Sequence, residues 1–165
     1  MVDKLNNLHD QENNFYSING NIISNAQGYK LRCTGLFQFE FENSNTAQKF
    51  HFHCFLKIGK PKIAETYLLS PLRWDDGKEV LIDDTKLIHK FLTEAFNFRG
   101  FQCELILITN ENFNQHRNSL NLFHVMSQTP AGQKLSIESV RDDLTDNERA
   151  ILWNQALKSF MDANG

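Results

Sequence analysis

Proline and cysteine are both scarce in this chain, with three residues of each among 165. Pro61, Pro71 and Pro130 stand far apart as single turn or boundary marks, and no Pro-, Gly- or Ser-rich linker divides the sequence. The length matches the roughly 100–200 residues of one domain, so residues 1–165 read as a single domain. Cys33, Cys54 and Cys103 are odd in number, widely spaced and without a CxxC pair. Each sits in an apolar stretch, which points to reduced core thiols in a cytoplasmic protein, and no motif places a base beside any of them. The chain has no apolar run of membrane-spanning length, and its first twenty residues are too polar for a secretory signal. Charge of one sign is also missing. Seventeen basic and twenty acidic residues leave a net charge of −3, which excludes a general pull towards nucleic acid or anionic membrane. The glycines at 28, 35, 59, 77 and 100 are singletons, so no phosphate-cradling loop exists and no cofactor is expected.

Phenylalanine, at fourteen residues, is what the chain has in excess. From Tyr29 to Phe41 one parity is Tyr29, Leu31, Cys33, Gly35, Phe37, Phe39 and Phe41, and the other is polar apart from Leu36. Alternation with period two means a half-buried strand, with Gly35 as a bulge or bend. After a polar turn over 43–48 the pattern returns as Phe50, Phe52, Cys54, Leu56 and Ile58, a second antiparallel strand, and Ile63 to Leu69 makes a third. Upstream, Asn19-Gly20 between short apolar runs predicts a two-residue hairpin turn, while residues 1–12 suit a short helix or frayed end.

A helix is expected over about 84–98, capped by Asp83 or Asp84, with a stripe of Leu87, Ile88, Phe91, Leu92, Ala95 and Phe96 and a stop at Gly100. Phe101 to Thr109, apolar on both faces at 105–108, reads as a strand nearer the centre of the sheet. Residues 110–128 are ambiguous between strand and helix. Thr145 to Glu148 is a capping box opening a last helix, with a core face of Leu152, Trp153, Ala156, Leu157 and Phe160. The sum is an α+β fold: an antiparallel β-meander sheet with helices packed on one face.

Three places can carry function. His51 and His53 share one strand face, and the adjoining strand puts Glu40 and Glu42 opposite them, paired as Glu42 with His51 and Glu40 with His53. Such a face can hold a metal, serve a small metal-dependent enzyme, or be a solvated face of charge pairs. A Glu–His ladder would have His51 or His53 titrating above the usual value of about 6.5. The loop Arg73, Trp74, Asp75 and Asp76 offers residue types common at interface centres, although Trp74 can equally fold back over the sheet. The rows Phe37, Phe39, Phe41, Phe50 and Phe52 would line a cavity in a carrier of small apolar ligands, or simply pack together. The reading this favours is a protein-interaction module (an inhibitor, immunity-like protein, chaperone or assembly subunit) that performs no chemistry. Its partner would be another protein, one of basic character suiting the acidic C-terminal half.

Overall fold

A computed structural model describes residues 15–17 and 19–164. Seven strands form one sheet in chain order: β1 (Phe15–Ser17), β2 (Ile22–Asn25), β3 (Tyr29–Gly35), β4 (Gln38–Asn43), β5 (Gln48–Lys57), β6 (Ile63–Leu69) and β7 (Gln102–Ile108). All neighbours are antiparallel except β6 and β7, which run parallel because helix α1 (Ile82–Phe98) crosses between them. Three further helices follow: α2 (Phe113–Gln128), α3 (Pro130–Ser139) and α4 (Asp146–Asn164). This is the α+β meander expected from the sequence, and the ambiguous stretch before residue 128 resolves as α2. The expectation for residues 1–12 lies outside the described residues.

The long alternating run is two strands rather than one. The chain folds back at Leu36 and Phe37, where Phe37 takes a left-handed backbone with φ 59°. Leu31 then lies opposite Phe41 and Cys33 opposite Phe39, so a tight hairpin keeps the apolar parity on one face. The register slips between Cys33 and Gly35, the bulge anticipated at that glycine. The β1–β2 hairpin is present, with Ser17 opposite Ile23, so its connection is longer than the two-residue turn expected. Asn19 accepts from the Asn21 and Ile22 amides instead, and Gly20 donates to the Asp142 carbonyl at 2.7 Å. A Cβ at Gly20 would sit 2.5 Å from the Leu144 carbonyl oxygen, so glycine here serves close approach of two chain segments.

The Phe-rich face is closed by α1 and α4. Phe91 meets Phe41 at 5.7 Å, Phe96 meets Phe39 at 5.3 Å, and Trp153 stands edge-on to Phe39 at 5.9 Å. Ring edges carry partial positive charge and faces partial negative, which favours these T-shaped contacts. Helix α2 adds a cover at the end of the other face, where Phe123 packs on Phe55, Tyr67 and His53. Phe37, at the turn, touches both Trp153 and Phe123 and joins the two layers.

Two expectations about the helical half change. Helix α1 starts at Ile82 behind Leu81, without a side-chain cap, so Asp83 and Asp84 act as first-turn acids near the positive end of the helix dipole. Strand β7 is an edge strand and not a central one: α1 covers its inner face, and Leu107 remains 38% exposed. The capping box before α4 forms as expected, with Glu148 N–H donating to Thr145 Oγ1 and Thr145 N–H to Glu148 Oε1, both at 3.2 Å. Asp146, buried in the first turn of α4, holds two guanidinium groups, that of fully buried Arg149 and that of Arg99 at 3.2 Å.

Candidate functional site

Strand pairing decides what the histidine face can do. Asn43 lies opposite Gln48, which puts Glu40 opposite His51, Gln38 opposite His53 and Glu42 opposite Lys49. The pairing expected from the sequence is therefore displaced by two residues, because the connection uses only residues 44–47. Glu40 is buried and meets Arg32 Nε at 3.0 Å, His51 Nε2 at 3.0 Å and Lys49 Nζ at 3.8 Å. His51 Nδ1 lies 2.7 Å from Asp75 Oδ2. Each ring nitrogen of His51 thus faces a carboxylate, Glu40 on one side and Asp75 on the other.

Asp75 reaches His51 because β6 leaves β5 early. Residues 48–52 of β5 have no partner on β6, and the loop after Pro71 takes that place. Asp75 N–H donates to the Lys49 carbonyl at 2.9 Å, and the His51 amide donates to Asp75 Oδ1 at 3.1 Å. The loop is itself a small hairpin, with Arg73 bridged to Glu79 and Gly77 at φ 89° in its turn. Trp74 is buried against Phe41 and Phe50, the fold-back arrangement, so it is not displayed for a partner. Arg73 donates to the Gly77 carbonyl and Asp76 accepts from the Lys78 amide, and both stay exposed.

The four candidate metal ligands do not converge. His53 turns to the Phe37 carbonyl, 3.3 Å from its Nδ1, and its ring packs on Phe123. Burial pushes its pKa down, the opposite of the ladder expectation. Around Glu40, Arg32 and Lys49 put cations where a metal would need to sit. Among the described residues no group of three or more His, Cys, Asp or Glu can hold a metal ion, and the metal reading of Glu40, Glu42, His51 and His53 is corrected accordingly. The thiols are equally quiet. Burial pushes Cys33 up to about 12 and Cys54 well above its ordinary value, so neither presents a thiolate near neutral pH.

The Phe rows are filled by each other. Phe41 stacks on Phe50 at 5.2 Å and Phe39 on Phe52 at 6.1 Å, with Trp74 and Trp153 closing the rows. Open apolar space lies elsewhere, in a groove of about 710 Å³ between α2, α3 and α4. Its floor is Leu36 and Met126, both buried, and its walls include Leu135 of α3 with Leu152 and Ala156 of α4. The local sequence builds it. Thr129 ends α2 by donating to the Met126 carbonyl at 2.8 Å and caps α3 by accepting from Gly132 N–H at 2.9 Å. Pro130 opens α3 at a position where its missing N–H costs nothing. The two helices thus meet at a sharp corner. Along α4, Ala156, Ser159 and Ala163 recur at helical spacing and leave space that larger side chains would fill. Among the described residues Lys134 is the one cation of the lining, and none of them is acidic.

The sequence reading placed Ala156 on the core face but missed α3, and with it the groove. Thr129-Pro130 was the available signal, a cap followed by proline at the first helical position. Asp75 beside His51 had no local signal, since 24 residues separate them. No family model, no curated protein and no solved structure matches this chain.

Proposed function

We propose that the protein is a binding module without chemistry of its own, and that it holds a small apolar molecule in the groove between α2, α3 and α4. The observation that carries this reading is the groove itself: about 710 Å³, with a mostly apolar lining. Sites for small molecules are concave and mainly apolar, commonly about 300–1,000 Å³, with a few polar groups to orient the ligand. The polar cluster supports binding over catalysis. Both nitrogens of His51 are occupied by carboxylates of the protein itself, so a substrate would have to displace Glu40 or Asp75 to reach the ring. A protein partner at residues 73–76 has less support, because the tryptophan that would anchor it lies inside the fold.

Native mass spectrometry of the protein captured gently from its own cells tests this. The expected result is a stoichiometric extra mass of a few hundred daltons, extractable into organic solvent on unfolding and missing from a folded Ala156→Trp variant. A bare chain that also fails to bind apolar dyes, or co-isolation of a stoichiometric protein in place of the small molecule, would overturn the reading.

A further inference from the structure

We propose that the molecule seated in this groove is a single-chain amphiphile with an anionic head, of the long-chain carboxylate class. Its tail lies over Leu36, Met126, Leu135 and Leu152, and its head meets the Lys134 ammonium. The proposal rests on the groove being a ligand site and adds the chemical class of the ligand. Three observations carry it.

The first is extent. The lining residues of α4 run from Leu152 to Ala163, about 16 Å at a helical rise of roughly 1.5 Å per residue. That is the scale of an extended acyl chain and longer than a compact ring system requires. Second comes the chemistry of the walls. Leucine, methionine and alanine dominate, and the few polar groups of the lining suit one head group better than a body rich in hydroxyls or amides. Charge is the third. Lys134 is exposed on the groove lining, and among the described residues no carboxylate lines the groove with it and its ammonium has no ion-pair partner. Gln155 and Ser159 add neutral donors on the α4 side. A carboxylate head gains the Coulomb attraction of that ammonium, which a neutral lipid forgoes, and a cationic amphiphile would be repelled by it.

The test titrates the full chain by calorimetry with tetradecanoate and with tetradecanol, both below the concentrations at which they aggregate. One tetradecanoate per chain is expected to bind, with affinity falling about fourfold per methylene removed from the chain. Lys134→Met is expected to weaken the carboxylate about threefold at low ionic strength while leaving the alcohol unchanged. Ala156→Trp should abolish both, and Ser159→Trp, at an exposed position, repeats that test if the first variant folds poorly. Equal binding of acid and alcohol, insensitive to Lys134→Met, would overturn the anionic head while leaving an apolar ligand site in place. No binding of either probe to the wild-type chain would overturn both readings. A concentration-dependent dimer that Ser159→Trp dissociates would show a second copy of the chain as the occupant, and the amphiphile would be rejected.

Discussion

At Asp146 a single buried carboxylate faces the guanidinium groups of Arg99 and Arg149, and Arg149 also donates to the Ser139 and Leu144 carbonyls. These contacts tie the start of α4 to the end of α3 and to the segment just after α1. Neutralising the carboxylate leaves the buried Arg149 and the largely enclosed Arg99 without a counter-charge. Removal of one partner from a buried pair costs about 3–5 kcal/mol, so Asp146→Asn is expected to lower the urea midpoint sharply with little change in slope. An unchanged midpoint would mean that the guanidinium groups are solvated in the fold. Trp74 makes a comparable residue-level case. It packs on the Phe41 and Phe50 rings from a loop, and Trp74→Ala should destabilise by about 3 kcal/mol. Were Trp74 a displayed contact residue, stability would hardly change and only binding would suffer.

Among the elements, the corner between α2 and α3 depends on position 132 lacking a side chain. A Cβ there would stand 1.8 Å from the Met126 carbonyl oxygen, which is backbone and cannot swing away. Gly132→Ala is expected to force α3 off α2 at a cost of about 2 kcal/mol or more, against the gain of up to about 1 kcal/mol that alanine brings at an unstrained helical site. Equal thermal midpoints for the two proteins would show that the corner relaxes freely. The capping box offers a milder comparison, with Thr145→Ala expected to cost about 1 kcal/mol. Much of this level was legible in the chain, since alternation, the Thr145–Glu148 box and the α1 stripe are local patterns with a physical period. What stayed hidden was set by partners distant in sequence. The turn at Phe37 is invisible to parity, because a hairpin that preserves the apolar face reads like one long strand. The edge position of β7 follows from a parallel crossover and not from its own apolar residues, which α1 covers on one side. The groove appears only when α3, a short helix with little amphipathic pattern, is placed against α4.

For the molecule as a whole, stability should fall on mild acidification, and the cause lies in two histidines on different elements. His53 is packed under Phe123, and burial pushes its pKa down, with His124 nearby adding like-charge opposition and the Phe37 carbonyl opposing the shift. His89 on α1 is also pushed down by burial, and its Nε2 has no hydrogen-bond partner among the described residues. In the unfolded chain both titrate near the ordinary value of about 6.5. Above that pH neither state binds the proton and the fold has its full stability. Below it the unfolded chain takes up protons that the folded one refuses, so stability declines as pH drops from about 6.5 through the lower folded values. Asp143, held low by Arg141, acts in the same direction, but only where carboxylates titrate, so the two windows separate. Urea unfolding at pH 7.5 and 5.5 should therefore show a lower midpoint at the acid value for the wild-type chain. The His53→Gln/His89→Gln double variant should show a smaller difference, because its two amides do not titrate. Parallel losses in both proteins would place the acid sensitivity on other groups, and a gain on acidification would reverse the sign argued from burial.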